Sequence, residues 1–117
     1  MAADATESLK LQMTAPTEAT RESLRKVLPA AAAVGNPIDV IGDADPYRYI
    51  RAFERVQKDP NFDGVLVVVT PQNMTRPLEL AEKLAAAHDG TKPLRTAFMG
   101  GNAVAPARER LMALGIP

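Results

Sequence analysis

Asp63-Gly64-Val65-Leu66-Val67-Val68-Val69-Thr70-Pro71 is the stretch that decides the fold. Its apolar residues run from Val65 to Val69 without a polar interruption, between a glycine and a proline turn. A strand wet on one face alternates polar and apolar side chains. An unbroken β-branched run instead expects cover on both faces, the pattern of a central strand in a parallel sheet.

The segments on either side fit that sheet. Downstream, a helix is expected from Arg76 or Pro77 to His88, with Leu78, Leu80, Ala81 and Leu84 apolar. Thr75 can cap it, and Pro77 suits a first turn that has no use for its missing N–H. Leu94–Phe98 reads as the next strand, and Ala105–Leu114 as a helix that Gly115 ends at C′. Upstream, Thr17–Leu28 reads as a helix capped by Thr17 and stopped by Pro29, with Leu24, Val27 and Leu28 on one stripe. Ile38-Asp39-Val40-Ile41 reads as a short strand between Asn36-Pro37 and Gly42. Asp45-Pro46 then opens a helix that buries Ile50, Phe53 and Val56. Strand and helix alternate through short links, which predicts right-handed βαβ crossovers and an α/β class. The chain opens inside an apparent helix, Ala2–Leu9, and closes at Ile116-Pro117, where another strand would begin. A domain truncated at both ends, with open sheet edges or bare apolar faces, is therefore expected.

With 117 residues there is room for one small domain. Lys+Arg and Asp+Glu each number 14, with no basic run, so nucleic acid and anionic membrane are not expected partners. The absence of cysteine excludes disulfides, thiolate nucleophiles and thiolate-bound metals. No leader or spanning segment is evident near the N-terminus, so a cytoplasmic location is expected.

The residues with most chemical potential lie in the turn after the apolar strand. Thr70, Gln72, Asn73, Thr75 and Arg76 stand at the carboxyl end of a parallel strand, where ligands of open α/β sheets bind. The following helix points its free N–H groups and positive dipole end into that crevice, which favours an anionic phosphate. From residue types alone, an ordinary capped turn that binds nothing is the favoured account. Gly100, Gly101 and Asn102 end the next strand on the same rim; the glycines permit close backbone approach, and Asn102 can cap the last helix. Asn36, Asp39, Gly42 and Asp43 surround the Ile38–Ile41 run. Asp39 within it needs partners if buried, with backbone amides the simplest choice. Asp43 and Asp45 suggest Mg²⁺ only faintly, since Asp45 is explained as a cap, and no metal site is expected. The single histidine, His88, ends a helix in a turn expected to be solvated, where the dipole suffices to explain it. Tyr47 and Tyr49 flank Arg48 and read as an interdomain face.

Three segments in order carry a resemblance. Asn36-Pro37-Ile38-Asp39-Val40-Ile41-Gly42-Asp43-Ala44 comes first. Asp59-Pro60-Asn61-Phe62-Asp63-Gly64 follows, with its strand and Thr70-Pro71. Lys92-Pro93-Leu94, Phe98-Met99-Gly100-Gly101-Asn102 and Ala113-Leu114-Gly115-Ile116-Pro117 close the series. Together they resemble the flavodoxin-like ligase-CoA domain of the NDP-forming (ADP-forming) acetyl-CoA and acyl-CoA synthetases. That domain is related to the C-terminal domain of the succinyl-CoA synthetase β subunit. The resemblance covers 1–117, densest from Asn36 onward.

It implies a flavodoxin-like three-layer sandwich with a parallel sheet, the whole of 1–117 being one ligase-type domain of a larger synthetase. It implies participation in acid, CoA and NTP giving acyl-CoA, NDP and phosphate, through an acyl phosphate and a phosphohistidine. CoA, ADP/ATP and Mg²⁺ would belong to the parent enzyme rather than to this chain. The partners would be its CoA-binding and ATP-grasp domains or subunits. The turn at Thr70, Gln72, Asn73, Thr75 and Arg76 would face the phosphohistidine, with Asn36, Asp39, Gly42, Asp43, Gly100, Gly101 and Asn102 as supporting rim loops. The phosphohistidine context, the dinucleotide-type glycine fingerprint and the ATP-grasp machinery are not in this sequence, so no catalytic residue is assigned and the chain is expected to be inactive alone. A silent regulatory copy fused to a protein acetyltransferase, or a stand-alone flavodoxin-like binding module, are the competing expectations.

Overall fold

The computed structural model describes residues 13–70, 72 and 75–117. The expected helix over Ala2–Leu9 lies outside them, as do Pro71, Asn73 and Met74 of the turn. The described chain runs α1 (Glu18–Val27), α2 (Pro46–Val56), β1 (Val65–Val69), α3 (Pro77–Ala87), β2 (Leu94–Phe98), a 3₁₀ turn (Gly101–Ala103) and α4 (Ala105–Ala113).

Local chemistry sets most of these boundaries. The Thr17 hydroxyl accepts the Thr20 N–H at 3.2 Å and opens α1. The Asp45 carboxylate accepts the Arg48 N–H at 2.9 Å and opens α2, with Pro46 in the first turn. At the end of α4 the chain turns through Gly115 at φ 82, a conformation glycine adopts without a Cβ clash. The Gly115 N–H then donates to Met112 and the Ile116 N–H to Leu111, while Ile116 and Leu111 are both buried: a complete Schellman ending.

β1 and β2 pair in parallel from Val65 opposite Leu94 to Val69 opposite Phe98, with α3 as the crossover between them. The fold is therefore α/β. Helices α2, α3 and α4 stand side by side. They cover the sheet face that carries Val65, Val67 and Val69, around a core of Phe53, Leu80, Leu84, Val104, Leu111 and Phe98. A second, smaller cluster joins α1 to α2 through Leu24, Leu28 and Ala52.

Two expectations change. The strand over Ile38–Ile41 does not form; that stretch contributes only an isolated antiparallel bridge between Ala33 and Asp39. The Asp39 carboxylate is the cause: it is exposed and accepts the Ile41 N–H at 2.9 Å, which turns the chain, and Ile41 sits at φ 73. Nor is β1 covered on both faces by described residues. Val69 is fully buried, but Leu66, on the opposite face, is 52% exposed. The cover that its side-chain type calls for is not supplied by α1 to α4.

Candidate functional site

The carboxyl ends of β1 and β2 form one continuous rim, because the Met99 N–H donates to the Val69 carbonyl at 2.9 Å. From this rim α3 departs. Its N-cap is Arg76 at φ 47, not Thr75, and no side chain caps it. The expected capping role of Thr75 fails for a specific reason. Its hydroxyl already accepts the Gln72 N–H at 3.0 Å, its own N–H donates back to the Gln72 carbonyl at 2.9 Å, and its side chain is buried. Thr75 therefore closes the turn instead of facing outward.

With Pro77 in the first turn and Leu80 bonded to the Arg76 carbonyl, the N–H groups of Leu78 and Glu79 are the first-turn donors left without a helical acceptor. Leu78 beside them is 45% exposed. Charge at the tip is also arranged. The Glu79 carboxylate is engaged by Arg76 at 3.1 Å and by Lys83 at 3.9 Å, leaving one net positive charge beside the dipole end. Screening keeps these exposed pairs weak, so they orient Arg76 more than they stabilise the fold. Lys83 is further held 4.7 Å above the Tyr47 ring, which places that tyrosine against α3.

Of the expected rim residues, some converge. A Cβ placed on Gly42 would lie 3.0 Å from Gln72 Nε2, so the Gly42 loop touches the turn that ends β1. Thr70 is exposed and shares a groove with Asn36, Asp39 and Gly42. The α3 tip meets the loop after β2 through a shallow recess lined by Arg76, Pro77, Leu78 and Ala103. Gly100 (φ 140) and Gly101 (φ 58) both use conformations that favour glycine, and both are exposed there. Asn102 does not cap the last helix; it lies inside the 3₁₀ turn, and Val104 stands at the N-cap without a side-chain bond.

Other residues are committed elsewhere. Asn36 donates to the Thr14 carbonyl at 2.8 Å, and Asp43 pairs with Arg48 at 2.6 Å, whose guanidinium holds the carboxyl below its usual range. Asp45 is the α2 cap, and among the described residues no group of three or more His, Cys, Asp or Glu could hold a metal ion. His88 is half-buried rather than solvated: Nε2 lies 2.7 Å from the Lys92 carbonyl, and its ring is 6.4 Å from that of Phe53.

One buried polar hub escaped the sequence reading. Asp59 accepts the Thr17 N–H at 2.8 Å and the Asn61 N–H at 2.8 Å, and the Lys92 ammonium donates to its carbonyl. Burial pushes its carboxyl up, but the hydrogen bonds from Thr20, Asn61 and Thr17 outweigh it and hold it below the usual range. In the sequence Asp59-Pro60 stands out only as part of the resemblance; the long-range partner Thr17 is not legible there.

No family model matches the chain. Individual proteins do. It is 32% identical over its whole length to acetate–CoA ligase (ADP-forming) I of Archaeoglobus fulgidus, of which it spans 16%. It is 37% identical, again over its whole length, to the α subunit of acetate–CoA ligase (ADP-forming) II of Pyrococcus furiosus, spanning 27% of that chain. Among solved structures, a Pyrococcus horikoshii protein superposes on 98% of the chain with a TM-score of 0.88 at 34% identity, the match being 28% of that protein. The dinucleotide-forming acetyl-coenzyme A synthetase 1 of Ca. Korarchaeum cryptofilum, solved in its apo form and with phosphate and ADP, superposes on 97% with a TM-score of 0.89 at 26% identity, 25% of its length. The chain thus spans about a quarter or less of most of these relatives, and its homologues over its full length are ADP-forming acetyl-CoA synthetases. Over its full length the chain is similar to one segment of the ADP-forming acetyl-CoA synthetases.

Proposed function

We propose that residues 1–117 form a single ligase-type domain that supports phosphoryl transfer in an NDP-forming acyl-CoA synthetase. The overall reaction is acid, CoA and NTP giving acyl-CoA, NDP and phosphate. The phosphoryl group travels on a histidine of a neighbouring domain, and the amino end of α3 receives it. The observation that carries this reading is the first turn of α3 at the carboxyl rim of β1, where the Leu78 and Glu79 amides have no helical acceptor and Arg76 stands beside them. Such a tip stabilises a dianion by aligned N–H donors and by the dipole, and a guanidinium adds a charge-assisted bond. Gln72 and Thr70 stand on the same rim as further donors, and Asn73 belongs to the same turn. The glycines at 42, 100 and 101 keep the rim low enough for a partner domain to approach.

CoA, the nucleotide and Mg²⁺ are handled by the CoA-binding and ATP-grasp parts of the synthetase, in the cytoplasm. No helix among the described residues is long and apolar enough to cross a membrane. The relatives' names, and the phosphate and ADP complex of the Korarchaeum synthetase, support this assignment. Titration of the chain with inorganic phosphate, followed by backbone amide NMR, tests it. Saturable shifts at Leu78 and Glu79 that vanish in Arg76→Ala are expected. Shifts spread evenly over surface amides would overturn the assignment.

A further inference from the structure

Arg48 stands where a helix least favours a cation. It lies in the first turn of α2, at the positive end of the dipole, and beyond the Asp45 cap that turn contains no acidic residue. Its contacts explain the position. Nη1 donates to the Val40 carbonyl at 3.2 Å and to the Asp43 carboxylate at 2.6 Å, so the guanidinium reaches back over the loop that precedes the helix. Between those two acceptors lie Ile41 and Gly42. Ile41 has φ 73, a conformation that a β-branched side chain rarely adopts. The Asp39 carboxylate holds it from within by accepting the Ile41 N–H, and Arg48 closes the loop from outside. Among the described residues Ile41 and Arg76 alone combine a side chain with a positive φ, and the Gln72 turn borders both.

Gly42 carries this constraint to the rim. A Cβ built there would meet Gln72 Nε2 at 3.0 Å, with Cδ at 3.7 Å and Oε1 at 3.9 Å, so the bare glycine lies against the whole carboxamide. The Gln72 backbone is fixed independently, by the Thr75 hydroxyl on its N–H and the Thr75 N–H on its carbonyl. An exposed glutamine ordinarily keeps its rotamer freedom and must give it up on binding. Gln72 is exposed, yet it is held at both ends. We infer that Arg48 is a positioning residue of the rim: acting through the Ile41-Gly42 loop, it preorients the Gln72 carboxamide as a donor to an incoming phosphoryl oxygen. The inference rests on the anion-facing role proposed for the α3 tip. It gives Asp39, Gly42 and Asp43 one shared task, in place of separate contacts to a ligand.

Stability alone does not account for the arrangement. The Asp43 side chain is 68% exposed, so its pair with Arg48 is screened and adds little to the fold. A left-handed Ile41 and a cation at the amino end of α2 both work against stability. Both features converge on the place of one carboxamide, as strain kept at functional positions does.

The test uses the full chain and inorganic phosphate, read by NMR at the Gln72 side-chain amide and at the Leu78 and Glu79 backbone amides. Without phosphate, side-chain nitrogen relaxation should show an ordered Gln72 carboxamide in wild type and a disordered one in Arg48→Met, which keeps the apolar stem. With phosphate, Arg48→Met should weaken binding about fivefold, the effect of one lost hydrogen bond. Arg48→Lys keeps a charge beside Asp43 and should recover part of it. In a Gln72→Ala background, Arg48→Met should cost nothing further. Should Arg48→Met fail to fold, Gly42→Ala carries the same cycle, because its methyl displaces the carboxamide at a residue whose φ is not positive. An equal loss in both backgrounds would mean that Arg48 acts as a remote charge. An ordered carboxamide in the variant would mean that the loop does not hold it. Either result overturns the inference while wild type still responds at Leu78 and Glu79. Wild type without saturable shifts at those two amides would instead overturn the anion-facing reading and, with it, the donor role of Gln72, so the two failures are told apart.

Discussion

Arg76 concentrates the tension between stability and function. A side chain at φ 47 costs about 1 kcal/mol relative to glycine, and among the described residues the half-exposed side chain has one ion-pair partner, Glu79. Strain kept at such a place fits a role for the guanidinium. Arg76→Gly should therefore raise unfolding stability by up to about 1 kcal/mol in chemical denaturation, while it removes the phosphate response at Leu78 and Glu79. A loss of stability would show that Arg76 is structural. Asp59 is the opposite case, a buried carboxylate fully occupied by N–H donors. Asp59→Ala should cost about 2–3 kcal/mol, because two amides lose a charged acceptor. Its folded-state pKa is lowered below the model-compound value of 3.8, so its contribution is present at neutral pH and is lost as pH falls through the folded pKa. Stability measured from about pH 5 downward should fall more steeply in wild type than in Asp59→Ala. Parallel curves would remove Asp59 as the cause.

At the scale of elements, what was legible followed from chemistry confined to a few neighbouring residues. Thr17, Asp45-Pro46 and Gly115 mark real boundaries because caps and left-handed turns act within one helical turn. Val65–Val69 announces a strand by composition, and it is one. Ile38–Ile41 has the same residue types, yet a single carboxylate hydrogen bond to the Ile41 N–H diverts it into a turn. Strand propensity reflects what a pleated surface offers, and no strand partner lies beside this segment among the described residues. The turn after β1 was legible in location but not in detail. Whether Thr75 or Arg76 caps α3 depends on Gln72 claiming the threonine hydroxyl, a contact that sequence spacing leaves open. Gly115→Ala tests the element account: with φ at 82, the added methyl should cost about 1 kcal/mol and lower the melting temperature accordingly. An unchanged melt would mean that the Schellman ending is dispensable.

For the whole molecule, the function proposed above gives the α3 tip a phosphoryl group to face and leaves the histidine, nucleotide and CoA machinery to other parts of a synthetase. The purified chain should neither make nor cleave acetyl-CoA when given ADP and phosphate; turnover above a boiled control would refute that division of labour. The claim on which the account turns is recognition of a phosphorylated imidazole by the α3 tip. Its most direct test follows the Leu78 and Glu79 amides while the chain is titrated with a histidine-containing peptide, phosphorylated on the imidazole or left unmodified. The phosphorylated peptide should shift both amides saturably and lose that effect in Arg76→Ala, with the unmodified peptide silent. Equal responses to both peptides, or none to either, would contradict the account.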